Sequence, residues 1–171
     1  LAKPSPTPTA ATAQPKYGGL LKTFTDREVR AWDGMQIKSG ARDVRTMHNM
    51  TFSMLYTFPA TPETNCQLIL TPELAESFKW NSDTQLDVKI RQGVKFQNKP
   101  PINGRELTAD DVAASFGRSF IADPIRGLEA IAPYILKIEA VDRYTVRFTT
   151  DGPLATLVPL GLTSIYGAVV V

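Results

Sequence analysis

Residues 86–90 read Leu-Asp-Val-Lys-Ile and residues 144–148 read Tyr-Thr-Val-Arg-Phe. In both runs every second side chain is apolar and the ones between are polar or charged. A strand turns successive side chains to opposite faces, so this pattern fits a sheet with one buried and one wet face. The same period holds in Leu136, Ile138 and Ala140, which pair in expectation with Tyr144, Val146 and Phe148 across an Asp142-Arg143 turn. That is a hairpin with a single apolar face. Cys66, Leu68 and Leu70, then Phe78 and Trp80, show the period earlier, and Val94 and Phe96 are expected to continue the strand after Ile90, with Gly93 marking a turn or bulge.

Helical signals interrupt the strands. Thr108-Ala109-Asp110-Asp111 opens one helix: Thr108 is placed to accept from the free N–H groups of the first turn, and the aspartates suit its positive end. Val112, Phe116 and Phe120 follow at four-residue spacing as one buried stripe, and Asp123-Pro124 ends it. A second helical period runs from Asp43 to Tyr56 through Val44, Met47, Thr51, Met54 and Leu55. Leu20 to Thr25 is a short strand candidate, and Pro100, Pro101, Asn103 and Gly104 form a loop. Strands outnumber helices, an α+β pattern. Residues 1–16 carry four prolines, three threonines and four alanines, with almost nothing bulky to bury. They read as a disordered linker, either of the sort that tethers an exported domain to a surface anchor or a neutral disordered terminus. Order is expected to begin at Tyr17-Gly18-Gly19. The apolar Val169-Val170-Val171 is expected to be a strand cut within a longer protein.

Several function classes are excluded or disfavoured by composition. The chain has 19 basic and 17 acidic residues among its 171, interspersed, with no basic stripe for nucleic acid. One cysteine, Cys66, and one histidine, His48, cannot supply the roughly four ligands of a structural zinc site. Cys66 lies in an apolar run and reads as a small buried hydrophobe, and His48 as a structural residue on the helix. Ser77 and Ser115 have no histidine in sequence reach, Asp110 and Asp111 are helix caps, and Gly18-Gly19 lacks the lysine and spacing of a phosphate loop. No catalytic residue, metal site or cofactor is expected, and the chain is not read as an enzyme.

Three blocks carry a resemblance. They are LTPELAESFKW at 70–80, LDVKIRQGVKFQN at 86–98 and PPINGRELTADDVAASFGR at 100–118. Their order and spacing resemble the family 5 extracellular solute-binding proteins, the oligopeptide, dipeptide and nickel-binding group. IEAVDRYTVRFTTDGPLATLV at 138–158 extends the likeness more loosely, as do Gly18-Gly19-Leu20 and Trp32-Asp33, where Gly34 stands in place of the family's usual proline. The blocks are turn-formers, caps and strand residues, with Arg91 and Arg118 read as partners of carboxylates or carbonyls.

The resemblance implies a partial periplasmic-binding-protein-like type II fold, with a mixed sheet of short strands, a few helices and the second lobe missing. It implies capture of an extracellular solute, peptides first, then nickel chelates or oligosaccharides. Delivery would be to an ABC permease in the membrane, with the protein periplasmic or at the cell surface and a lipid anchor as one option. A sensor or scaffold module that keeps the fold without transport is the alternative. Within this reading the loop Asp26 to Asp33 carries the candidate ligand contacts. Asp26 or Glu28 would face an amine, Arg30 a carboxylate, and Trp32 would offer a stacking surface. A solvated charged loop with Trp32 as a core anchor is the competing reading.

Overall fold

A computed structural model of the chain describes residues 18–20, 22, 51–58, 69–122, 130–155, 157 and 161–163. The alternating segments form the expected sheet. Strands β3 (Ala75–Ser82), β4 (Gln85–Ile90), β5 (Ile135–Asp142) and β6 (Thr145–Thr150) pair antiparallel in the order β3-β4-β6-β5. A two-stranded ribbon, β1 (Tyr56–Thr57) with β2 (Thr71–Pro72), precedes it. Helix α1 (Ala109–Gly117) crosses from β4 towards β5 and packs on β5 and β6. It continues into a π-helical turn, Arg118–Ala122, ahead of Asp123-Pro124.

Leu86, Val88 and Ile90 of β4 and Val146 and Phe148 of β6 are fully buried. The stripe on α1 meets them: Val112 and Phe116 are fully buried, and Phe120 is nearly so. The Phe116 ring stacks on Phe120 at 5.8 Å and meets Phe148 edge-on at 5.6 Å. Gly161 closes this core from the far end of the chain. A Cβ there would stand 2.8 Å from Leu157 Cδ1 and 3.3 Å from Ile131 Cδ1, so a larger residue would have to push the Leu157 side chain aside. The wet face carries a row of alternating sign across all four strands, Lys79, Asp87, Arg147 and Glu139. At its centre the Arg147 fork donates to Asp87, Nε to Oδ1 at 2.7 Å and Nη2 to Oδ2 at 2.8 Å.

Both edge strands are bulged twice. Register shifts leave Glu76 and Asn81 as the extra residues of β3, and Leu136 and Val141 as those of β5. The first β5 bulge corrects the hairpin reading. Ile135 is buried and Leu136 is 59% exposed, because the bulge shifts the side-chain phase before Lys137. The turn is Arg143-Tyr144 rather than Asp142-Arg143, so Tyr144 lies outside the pairing. The Asp142 carboxylate fixes this turn by accepting the Tyr144 N–H at 2.7 Å.

Two other expectations are corrected. The helix from Asp43 does not reach Tyr56. Thr51 is helical, but Tyr56–Thr57 is a strand, and the carbonyls of Met54 and Leu55 accept the N–H groups of Glu73, Leu74 and Ala75 at 3.0–3.1 Å. Tertiary pairing overrides the helical period there. Val94 and Phe96 do not extend β4. Gly93 at φ +76° turns the chain, and Lys95 then pairs with Glu106 in an isolated bridge. Of the strand expected over Leu20–Thr25, only Leu20 and Lys22 are among the described residues. Neither is in a strand, and the rest of that expectation lies outside the described residues. Most of the 43–56 period, His48, Cys66, the 1–16 linker and the Val169–Val171 end lie outside the described residues.

Tyr56 is buried against Phe78, ring to ring at 5.7 Å, and its hydroxyl has no hydrogen-bond partner among the described residues. Burial pushes its pKa up to about 12. An unpaired buried hydroxyl costs stability, so Tyr56→Phe is expected to raise the urea midpoint, by about 1 kcal/mol in unfolding free energy. Phe116→Ala in the same assay is expected to lose about 3–5 kcal/mol. A Tyr56→Phe variant less stable than the parent would show that the hydroxyl is paired.

Candidate functional site

The loop between β4 and α1 is held by two acid–base clusters. Glu106 accepts the Gly93 N–H at 2.7 Å, the Arg143 guanidinium at 2.9 Å and the Tyr144 hydroxyl at 3.1 Å. One carboxylate thus joins the turn after β4 to the β5–β6 turn. Backbone bonds reinforce the junction: the Ile90 N–H donates to Tyr144 O at 2.8 Å and the Ala109 N–H to Arg143 O at 2.9 Å. In the second cluster Arg105 grips Asp111 with both arms, Nη1 to Oδ2 at 2.7 Å and Nη2 to Oδ1 at 2.5 Å, and lies 4.8 Å from the Phe96 ring centre. Asp111 also accepts the Thr108 N–H and the Thr108 hydroxyl, each at 3.0 Å. The helix start is therefore capped with the Asp111 carboxylate reaching back to Thr108.

These contacts act on ionisation in one direction. The Gly93 N–H and then Arg143 hold the Glu106 carboxyl below the usual range; Arg105 does so for Asp111, Arg147 for Asp87, and the Tyr144 N–H for Asp142. Groups kept ionised in this way are poor proton donors near neutrality. They act as structural anchors.

A cleft of about 550 Å³ lies at the end of β4, lined by Pro72, Glu76, Lys89, Arg91 and Gln92. The bulge at Glu76 brings its carboxylate to 3.2 Å from Lys89 Nζ. Arg91 is oriented by backbone carbonyls, its Nε to Ala75 O and its Nη2 to Pro72 O, both at 3.5 Å. Of the two kinds of partner expected for it, carboxylates or carbonyls, the described contacts are carbonyls. A smaller notch of about 320 Å³ lies at the other end of β3, between Trp80 to Asp83 and Pro153 to Ala155. The cleft offers two cations, one carboxylate and an amide, a set suited to holding a polar solute. Among the described residues no group of three or more histidine, cysteine, aspartate or glutamate side chains comes together, and no helix is long and apolar enough to cross a membrane.

The four loop residues expected to touch ligand, Asp26, Glu28, Arg30 and Trp32, lie outside the described residues. Sequence reasoning did not single out Glu106, Lys89, Gln92 or Arg143. Glu106 carried one usable signal, its place beside Arg105 in the block that leads into the helix. The partners that give it meaning are 13 and 37 residues away in the chain.

Known proteins extend this picture. The family described as bacterial extracellular solute-binding proteins, family 5 middle, matches residues 70–171, more than half of the chain. Among curated proteins none matches in sequence. Among solved structures, the periplasmic binding protein DppA of Helicobacter pylori, associated with an ABC transporter and in complex with the peptide STSA, is 24% identical with a TM-score of 0.66. The match covers 81% of this chain and 28% of that one. The oligopeptide-binding protein AppA of Bacillus subtilis, in complex with a nonapeptide, is 25% identical with a TM-score of 0.61, covering 78% and 24%. MoaA of A. tumefacien R10, in complex with mannopinic acid, is 27% identical with a TM-score of 0.62, covering 77% and 25%. The chain thus spans about a quarter of the length of these structures.

Glu106 sets a pH test. Its folded-state pKa is depressed, so its stabilising effect is present above the ordinary glutamate value of about 4.3 and is lost as pH falls through the folded value. Glu106→Gln is expected to lower stability at pH 7 and to flatten its decline below about pH 5. Asp87, Asp111 and Asp142 keep part of the slope. Urea midpoints of both proteins across pH 3–7 measure this, and parallel curves would remove Glu106 as the anchor.

Proposed function

We propose that this chain, which belongs to the family 5 bacterial extracellular solute-binding proteins, captures a solute outside the membrane for an ABC-type importer, with peptides as its first ligands. The observation that carries the reading is the family match over residues 70–171, within which the cleft at the end of β4 lies. The peptide complexes of the Helicobacter and Bacillus proteins support peptides as ligands, and the mannopinic acid complex marks small carboxylic acids as the neighbouring class. In this account residues 17–45 begin lobe one and residues 46–171 are its small subdomain. The protein works in the periplasm or at the cell surface, tethered through residues 1–16, and hands its solute to a membrane permease.

Affinity in such a binder comes from a cleft closing between two lobes. A chain that spans about a quarter of the length of such binders should bind weakly by itself. Asp26, Glu28, Arg30 and Trp32 are the proposed contacts, together with the cleft beside Arg91.

Calorimetry of the 171-residue chain with tri- to pentapeptides is expected to give dissociation constants weaker than about 0.1 mM. Backbone amide NMR in the same titration should move resonances of residues 26–33. Tight stoichiometric binding, micromolar or better, would contradict this reading. Peptide-induced shifts that leave 26–33 untouched would remove the loop.

A further inference from the structure

We propose that the cleft at the end of β4 is a carboxylate-binding site with the Arg91 guanidinium as its principal donor. The proposal rests on the solute-capture reading and adds the chemical class that this cleft takes.

Arg91 differs from three other arginines of the sheet and its loops. Arg105, Arg143 and Arg147 each engage a carboxylate at 2.9 Å or less. The described contacts of Arg91 are the carbonyls of Ala75 and Pro72, both at 3.5 Å. Carbonyls orient a guanidinium without neutralising it. Five donors in a planar fork suit a carboxylate held through two parallel bonds, and two long contacts leave that capacity largely unused. The backbone beneath is fixed: the Arg91 N–H donates to Leu74 O at 2.9 Å and the preceding Ile90 N–H to Tyr144 O at 2.8 Å. The donor therefore sits on a rigid strand end, which lowers the ordering cost of binding.

The surroundings select the ligand's charge. Lys89 lines the same cleft, with its ammonium 3.2 Å from the bulged Glu76, and Gln92 adds an uncharged amide. Among the described lining residues two cations stand against one carboxylate, an excess of one positive charge that a carboxylate monoanion can balance. The cleft, about 550 Å³, has room for more than the carboxylate itself, so part of a peptide can accompany it. The carboxylate can be a peptide C-terminus or an acidic side chain.

The test is Arg Nε–H NMR of the ¹⁵N-labelled 171-residue chain, titrated with N-acetyl-Ala-Ala, its C-terminal amide, N-acetyl-glutamic acid α-amide and inorganic phosphate. The free acid is expected to move the Arg91 signal saturably, at least about fivefold more than the amide at equal concentration, with phosphate weaker than the acid. The stronger of the two carboxylate probes identifies the source. Arg91→Gln is expected to abolish the response. If that variant does not fold, Glu76→Gln decides: removing the competing carboxylate should tighten binding of the acid several-fold. Equal responses to acid and amide, equal movement of the Arg105, Arg143 and Arg147 signals, or weaker binding by Glu76→Gln would each overturn the site. Peptide shifts at residues 26–33 with a silent Arg91 would remove this site and leave solute capture standing. An Arg91 response with residues 26–33 unmoved would do the reverse for the loop.

Discussion

The described structure hinges on one carboxylate, Glu106. Its two oxygens take an N–H from the turn after β4, a guanidinium from the β5–β6 turn and the hydroxyl of Tyr144. Three segments distant in sequence are thereby brought to one corner. From that corner the helix starts in the right place, since the Ala109 N–H bonds the carbonyl of Arg143. The strand β4 also ends there, since the Ile90 N–H bonds the carbonyl of Tyr144. Helix α1 can then lay Val112 and Phe116 on Val146 and Phe148, and Arg91 follows β4 at a fixed position. The polar corner gives register and direction, and the apolar face gives most of the free energy.

Much of this was legible because the sheet obeys a simple rule in its central strands. In β4 and β6 every residue keeps phase, and alternation in the sequence is alternation of burial. The edge strands break the rule. Leu136 and Val141 look like core residues and are exposed, because each is the extra residue of a bulge. Bulges at both ends of β3 and β5 distort the two exposed edges of the sheet, a recognised protection against edge-to-edge pairing. Nothing in local composition marks a bulge, since its position follows from the pairing partner. The 43–56 period failed at its end for a related reason: the backbone of Met54 to Tyr56 is claimed by residues 72–75 and 162, beyond the reach of any local window.

The candidate site was legible only in part. Arg91 stood out in a family block and does bond carbonyls, as expected. Its neighbours in the cleft did not stand out. Lys89 and Gln92 look like ordinary solvated residues, and Glu76 enters the cleft through the bulge. A family block records which residues recur together. It does not record which of them has a charge left without a counter-charge among the described residues, and that property carries the chemistry proposed for the cleft.

The described sheet and helix form a scaffold that is proposed to be folded before ligand arrives. Amide hydrogen exchange with and without a saturating peptide acid tests this most directly. The prediction is slow exchange in β4, β6 and α1 in the free chain, with peptide-induced protection confined to residues 89–92 and 26–33. Protection that appears across the whole sheet only when peptide is added would contradict it, because the scaffold would then be a product of binding.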